Sequence, residues 1–300
     1  MPYPIANLAY GLRCRLHDLA APRERYDLQI AAGNPSICPP IETVTNFDHE
    51  IQFRLRGGDP VYVYNRADYY TDLVGLPLIK GKLARGTEFI FQDLYSEDLN
   101  SLRKNILIYR NKIRFDSCDF SNDFFKKIRP FISDCTTFVF CRMLTNDFSF
   151  IDLMTNFPEL ENITFFLTHH IPRTWSTDLL PFSGRLTFLK FDCWNYFLET
   201  TTCDQLVTFL KAQKPGFRLQ VTRSNDPYFV KLIKGLNKRF PYKTNDAEPM
   251  DVTSILITDY SEDNPNSSRV YYLPQEGEAI VPRAPRENLR KFLRRIFPSF

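Results

Sequence analysis

No stretch of this 300-residue chain approaches the roughly 18 apolar residues that a bilayer-crossing helix needs, so no membrane span is expected. Arginines stand near the N-terminus where a secretory leader would place its apolar run. The chain is therefore expected to work in the cytoplasm or nucleus. A dominant charge is lacking too: 38 Lys and Arg oppose 35 Asp and Glu. That balance supplies no broad field for nucleic acid or an anionic membrane. The seven cysteines, Cys14, Cys38, Cys118, Cys135, Cys141, Cys193 and Cys203, are odd in number and lack the paired spacing of a zinc site. They read as free thiols of a reducing compartment, with no metal or cofactor expected. In such a compartment the sequons Asn162-Ile163-Thr164 and Asn266-Ser267-Ser268 carry no glycan.

Constellations that perform chemistry are missing as well. Gly75 to Lys82 has the outline of a phosphate loop, but its glycines lie one residue too far apart, Pro77 stiffens the interval, and Leu83 replaces the magnesium-binding hydroxyl. His169-His170 follows a predicted strand with no acid or cysteine at ligand spacing. Glu159 and Glu161 flank Leu160 in a turn and do not form a facing carboxylate pair. Without convergent polar groups the chain is expected to be no enzyme.

What is present is material for a core: 43% hydrophobic residues, 15% aromatic, with 27 phenylalanines. That is enough for one large domain or two smaller ones. From about residue 105 a short apolar strand recurs: Ile113-Arg-Phe115, Phe138-Val-Phe140, Ile163-Thr-Phe165, Leu189-Lys-Phe191 and Leu219-Gln-Val221. Their first residues, 113, 138, 163, 189 and 219, lie 25, 25, 26 and 30 positions apart. Leucine-rich repeats span roughly 20 to 29 residues. Leu160 and Leu186 each precede a strand by three, giving Leu-x-x-aliphatic-x-Phe twice, and Cys118 stands at the ladder position three after Phe115.

Helical periodicity fills the intervals. Phe124, Phe125, Ile128, Phe131 and Ile132 share one face, as do Phe150, Ile151, Met154 and Phe157; Leu206, Phe209 and Leu210; and Phe229, Ile233, Leu236 and Phe240. Asp204 and Asp226 are placed to cap the last two helices. Each unit is then strand, turn and helix, and a single unit cannot bury both its faces, so stacking into a parallel sheet is expected. The competing architecture is an ordinary α/β domain with helices on both sides of its sheet. Ser254 to Tyr260 and Arg269 to Leu273 form a terminal hairpin around the polar loop 261–268. Arg114, Lys190 and Gln220, at the middle strand positions, are expected to point away from the core.

Residues 35–104 are less regular. Ile51-Gln-Phe-Arg-Leu55, Val61-Tyr-Val-Tyr64 and Phe89-Ile-Phe-Gln92 read as strands, the first two across Gly57-Gly58-Asp59-Pro60. Pro35, Pro39 and Pro40 are read as a hinge or a rigid spacer. At the other end Arg286, Arg290, Lys291, Arg294 and Arg295 interleave with Leu289, Phe292, Leu293, Ile296 and Phe297 as a basic amphipathic helix. It is read as a terminal cap, with a surface for an acidic partner or anionic lipid as the alternative.

The N-terminus carries the functional signal. Ile5, Leu8, Leu12, Leu16 and Leu19 recur at intervals of three and four, which places them on one helical face, with Asn7, Arg13, Arg15, His17 and Asp18 on the others. Pro22 opens a second helix with Glu24, Arg25, Leu28 and Ile30, and Gly33-Asn34-Pro35 ends it. One short neighbour cannot cover five aliphatic side chains, so part of the stripe must meet the body or another protein.

This segment resembles an F-box: Pro4 and Ile5 near the start, leucines at helical spacing, then Pro22, Glu24-Arg25 and Leu28-x-Ile30. In particular Tyr3-Pro-Ile-Ala-Asn-Leu-Ala-Tyr-Gly-Leu-Arg13, Glu24-Arg-Tyr26 and Leu28-Gln-Ile-Ala-Ala-Gly-Asn34 are similar to stretches in the divergent F-box-like families of nematodes. The likeness covers about a tenth of the chain, and it departs from the family where Ala31-Ala32-Gly33 replaces a closing cysteine and tryptophan.

The resemblance implies a substrate-recruiting, non-enzymatic adaptor of a cullin-based ubiquitin ligase. Pro4, Ile5, Leu8, Leu12, Leu16 and Leu19 would dock a Skp-type subunit, Leu28 and Ile30 would hold the two helices together, and the repeat body would grip an unknown protein substrate. The expected fold is α/β: an F-box-like helical element (residues 1–40), a small mixed connecting region (41–104), a leucine-rich-repeat-like solenoid (105–282) and a basic helix (283–300). The alternative is a stand-alone repeat-type interaction module whose N-terminal helices only cap the solenoid.

Overall fold

The computed structural model describes residues 5–20, 22–33, 44–46, 51–56, 59–65, 76–77, 83–85, 88–99, 112–132, 135–143, 147–168, 171–192, 201–223, 227–240, 242–244, 252–259 and 267–273. The chain divides into two compact units, Met1–Glu159 and Leu160–Phe300. Both are α/β, and each is built on an open sheet in which most described pairings are parallel.

In the first unit the short helices α1 (Tyr10–Leu19) and α2 (Pro22–Ala32) precede the strands β1 (Val44–Asn46), β2 (Ile51–Arg56), β3 (Asp59–Asn65), β4 (Leu76–Pro77), β5 (Leu83–Arg85), β6 (Phe89–Gln92), β7 (Lys112–Asp116) and β8 (Thr137–Cys141). Strands β1 and β5 pair with each other; the main sheet runs β4-β3-β2-β6-β7-β8. The β2–β3 pair is the antiparallel hairpin expected around Gly57-Gly58. From β2 through β6 and β7 to β8 the pairing is parallel. Strand β6 thus stands in direct register with β7, although its sequence lies in the region read as a connector.

The period-two alternation of these strands sends phenylalanine to one face. Phe89 pairs with Ile113 and Phe91 with Phe115; Ile113 in turn pairs with Phe138, and Phe115 with Phe140. The side chains of Phe89, Phe91, Ile113, Phe115, Phe138 and Phe140 are all at most 1% exposed. Parallel strands about 4.8 Å apart bring equivalent rings into stacking range. Phe91 and Phe115 stack at 5.6 Å, and Phe115 and Phe140 at 5.5 Å, both with 19° between planes.

Over this ladder lie α3 (Asn122–Ile132) and α4 (Phe150–Asn156). Helix α3 buries Phe124, Phe125, Ile128 and Ile132 completely, each worth roughly 1.5 to 3 kcal/mol relative to exposure. Phe131 is only half-buried. The Ser121 hydroxyl accepts from the Phe124 N–H at 3.3 Å to start α3, and Ser149 Oγ accepts from the Asp152 N–H at 3.2 Å to start α4. In α4, Phe150, Leu153 and Met154 are buried, whereas Ile151, expected on that face, is 49% exposed. It lies one residue, or 100°, from the buried Phe150 and so turns away from the core.

The second unit contains β9 (Asn162–Phe166), α5 (Trp175–Asp178), β10 (Phe188–Asp192), α6 (Cys203–Ala212), β11 (Arg218–Arg223), α7 (Pro227–Arg239), β12 (Tyr242–Thr244), β13 (Ser254–Asp259) and β14 (Ser267–Tyr272). Its sheet order is β9-β10-β11-β13-β14-β12. Strands β9, β10, β11 and β13 are parallel. The expected terminal hairpin is present as the antiparallel β13–β14 pair. Ile163, Leu189, Leu219 and Ile255 share one level of the register, and Phe165, Phe191, Val221 and Ile257 the next. Trp175 closes the core here, stacking edgewise on Phe191 and Phe209 at 5.1 Å each and donating its indole N–H to Thr201 Oγ1 at 3.1 Å.

Asp204 does not cap α6. Thr202 does, in a reciprocal box with Gln205, because a hydroxyl at the N-cap reaches the N3 amide whereas Asp204 already lies inside the helix. Asp204 instead pairs with Arg239 of α7. The two helices approach closely at Gly235, where an added Cβ would meet Cys203 at 3.1 Å. Asp226, the Phe229 side chain, Pro35, Pro39, Pro40 and the basic C-terminal segment lie outside the described residues.

A second repeat appears in the backbone. The residue that follows each of β6, β7, β8 and β9 has a positive φ: Asp93 at 53°, Ser117 at 55°, Arg142 at 49° and Leu167 at 51°. For side-chain-bearing residues this left-handed conformation costs roughly 1 to 2 kcal/mol. At three of these positions the turn aims the amide along the ladder. Asp93 N–H donates to Asp116 O at 3.0 Å, Ser117 N–H to Cys141 O at 3.1 Å, and Leu167 N–H to Asp192 O at 2.9 Å. One residue further along, Leu94, Cys118, Met143 and Thr168 are all buried. Cys118 donates to Phe91 O at 3.2 Å, so the ladder position picked out in the sequence does join adjacent strands.

Candidate interaction surfaces

The stripe of aliphatic residues at the N-terminus is not carried by one continuous helix. Ile5–Asn7 form a single 3-10 turn, and α1 begins only at Tyr10. Ala9, the residue before α1, offers no side-chain cap, and its extended backbone (ψ 145°) breaks the helical path. Ile5, 2% exposed, is the centre of a small cluster with Leu8, Leu28 and Ala32. It therefore works inside the element, together with Leu28 as expected. Ile30 does not: it is 64% exposed and lies two residues from Leu28, about 200° around the helix. Pro4 lies outside the described residues.

Within α1, Leu12, Arg15, Leu16 and Leu19 occupy positions i, i+3, i+4 and i+7 and share one face. Leu12 is 56% and Leu19 77% exposed, Leu16 is half-buried and Arg15 exposed. The opposite face carries Arg13 and His17. His17, read on a face other than that of the leucines, is 6% exposed, and Arg13 is half-buried. Helix α2 repeats the pattern, with Gln29 at 5% beside the exposed Ile30. A surface helix ordinarily buries its apolar side. Here α1 turns Arg13 and His17 inward and Leu12 and Leu19 outward, while Ile5, Leu8 and Leu28 pack inside the element.

An inward polar atom is unsatisfied. Nε2 of His17 is buried without a hydrogen-bond partner, and its Nδ1 stands 3.7 Å from Asp18 Oδ1, beyond ordinary hydrogen-bond length. Arg25 Nε donates to Ala20 O at 3.1 Å, tying the start of α2 to the end of α1. Gly33, with φ at 68°, receives the chain at the end of α2 and donates its N–H to Ile30 O. That left-handed turn is the helix stop read from Gly33-Asn34-Pro35.

The other candidate surfaces are, within each unit, the strand face opposite the buried side chains. Arg114, Lys190 and Gln220 are all half-buried middle-strand residues flanked by buried neighbours, as the alternation requires. On β7 this face holds Lys112, Arg114 and Asp116. Lys112 pairs with Glu88 at 3.1 Å. Asp116, 5% exposed, receives Arg142 through two hydrogen bonds, Nε to Oδ1 at 2.7 Å and a terminal nitrogen to Oδ2 at 2.6 Å. That contact raises the Arg142 pKa above its ordinary value. Arg142 reaches Asp116 from the left-handed turn after β8, a geometry with no signature in the sequence.

The other positions weighed in the sequence contribute no described site. Glu159 and Glu161 are both exposed, and the Glu161 carbonyl accepts from Thr187 and Phe188. His169 and His170 lie outside the described residues, as do Gly75 and residues 78–82. Among the described residues no group of three or more His, Cys, Asp or Glu is arranged to hold a metal ion, and no helix is long and apolar enough to cross a membrane. Cys118, Cys135 and Cys141 are buried free thiols, and Cys14 and Cys203 partly exposed ones; Cys38 and Cys193 are outside the described set. Burial pushes the Cys141 thiol above its ordinary pKa.

These features define a class by architecture: two α/β units of strand-and-turn modules, headed by a pair of helices with outward leucines. No family model, no curated protein and no solved structure matches the chain.

Proposed function

We propose that the chain is a non-enzymatic adaptor of a cullin-based ubiquitin ligase, acting in the cytoplasm or nucleus, which docks a Skp-type subunit through its F-box-like N-terminal helices and holds a protein substrate on its body. The observation that carries this reading is the inverted burial of α1 and α2: Leu12, Leu19 and Ile30 face out while His17 and Gln29 face in. Exposed leucines on a short helix cost solubility and gain nothing unless a partner covers them. A purely capping element would fold its leucines onto its own chain, so the exposure favours docking over the stand-alone alternative. Leu12, Leu16 and Leu19 then form the contact, and Ile5 and Leu8 shape it from within.

The body is read as leucine-rich-repeat-like. The spacing of its strands, the parallel pairing within each unit and the recurring left-handed residue after the strand all support that reading. The strand face with Arg114, or Lys190 and Gln220, is the gripping surface.

Co-purification with a Skp-type subunit tests the proposal, using the full chain, a version lacking residues 1–34, and Leu12→Asp combined with Leu19→Asp. Removing two anchors of an interface costs on the order of 2 kcal/mol or more, a loss of about thirtyfold. Equal recovery of all three forms sinks the docking role. Unfolding of the double variant shows that the leucines belong to the core.

A further inference from the structure

Ile90, Arg114 and Val139 stand side by side at one level of the register on β6, β7 and β8. Ile90 is 3% exposed and Val139 is half-buried, so the Arg114 side chain rises between two aliphatic neighbours. An ion pair formed there is less screened than one in open water. The acid placed to neutralise Arg114 is Asp116, two residues along the same strand face. Its carboxylate, however, is already occupied by Arg142 on both oxygens and by Ser117 Oγ at 3.2 Å. Asp93, in the turn after β6, also acts on Arg142.

Arg114 is left short. Its terminal nitrogen stays 3.8 Å from Asp116 Oδ2, outside hydrogen-bonding range, and its Nε is buried with no acceptor. It reaches the Cys141 sulfur, whose thiol burial keeps protonated and which is a weak, uncharged acceptor. A guanidinium has five donors in a planar fork suited to a carboxylate. Here that fork is one-third exposed and shares the Asp116 carboxylate with Arg142, as a 3.8 Å ion pair without a hydrogen bond.

We propose that Arg114 anchors an acidic side chain, aspartate or glutamate, of an extended peptide laid across this sheet face, with Val139 meeting an aliphatic neighbour of that acid. This rests on reading the strand face as the gripping surface and is independent of Skp-type docking. The substrate class is thus an acidic segment interspersed with aliphatic residues.

Fluorescence polarisation of the full chain with a fluorescein-labelled heptapeptide of alternating Val and Glu, and with its Val and Gln counterpart, tests the assignment. The Glu peptide binds and the Gln peptide does not. Arg114→Gln weakens binding by roughly tenfold or more, the loss of one charge-assisted hydrogen-bond set, while Arg114→Lys falls in between. Lys112→Gln, whose cation is already paired with Glu88, stays within about twofold of the native chain. Equal binding of both peptides overturns the proposal, as does a Lys112→Gln loss equal to that of Arg114→Gln, which marks a diffuse field. Calorimetric binding of inorganic phosphate without binding of the Glu peptide also overturns it. Should Arg114→Gln lose its native circular dichroism, the contrast between the Glu and Gln peptides on the native chain decides alone. A chain that binds the Glu peptide yet fails to recover the Skp-type subunit supports this site and refutes only the docking head.

Discussion

Cys118 ties alkaline stability to the ladder between β6 and β7. Its Sγ lies 3.2 Å from Phe91 O and 3.6 Å from Asp116 O, and it is 2% exposed. Burial, the largest cause, pushes its pKa from an ordinary 9.0 to about 12. The folded chain therefore holds this proton more tightly than the unfolded chain. Below pH 9 both states keep it, and the stabilisation is fully present. Between pH 9 and 12 only the unfolded chain has released it, so stability falls by about 1.4 kcal/mol per pH unit from this one group. Tyrosines and lysines titrate in the same range, and comparison with Cys118→Ala cancels them. At pH 8 the variant loses about 1 kcal/mol through the lost thiol contacts. Urea unfolding of both proteins at half-unit steps from about pH 8 to 11 should show a nearly constant gap to about pH 8.5 that then narrows, closes and reverses between about pH 9.5 and 10. Two parallel curves would refute the reasoning, because they would mean that the thiol is hydrated or that the strand junction opens before it ionises.

Phe115 contacts Phe91, Phe120, Phe124, Phe138 and Phe140 with ring centroids 5.3 to 6.2 Å away. Phe115→Ala should cost about 3 to 5 kcal/mol in urea unfolding; a loss below about 1 kcal/mol would show that the ladder repacks freely. Ser117 tests the left-handed turn. Ser117→Gly should leave stability within about 0.5 kcal/mol, since relief of the positive φ is offset by the entropy of a glycine in the unfolded chain. Ser117→Val should lose about 2 kcal/mol or more, because a β-branched side chain strains that conformation. Similar thermal midpoints for the two variants would contradict the backbone geometry.

The strands were legible because each is a two-residue alternation of large apolar groups, and Ile113, Phe138, Ile163, Leu189 and Leu219 indeed fall in register within their units. Phe89-Ile-Phe91 carries the same pattern 24 residues before Ile113, yet the alternating strands beside it disguised it as part of a connector. The left-handed turns were hidden for a different reason. Asp, Ser, Arg and Leu occupy them, and none is the glycine by which a positive φ announces itself. At the N-terminus the leucine spacing identified Leu12 and Leu19 as outward. It misjudged Ile30 and left the burial of His17 unread, because periodicity states which residues share a face and not which face the fold turns inward. The Asp116–Arg142 pair joins residues 26 apart through a turn, and no local pattern encodes that distance.

The left-handed turns have a further bearing on how such a scaffold can change. Because the junction at positions 93, 117 and 167 is made by amides, any residue that tolerates the strain can occupy them. The strand ends accordingly display a carboxylate, a hydroxyl, a guanidinium and an aliphatic group on identical backbone scaffolding. Variation at these positions can change the chemistry that each unit displays at its strand ends while leaving the hydrogen-bonded frame intact.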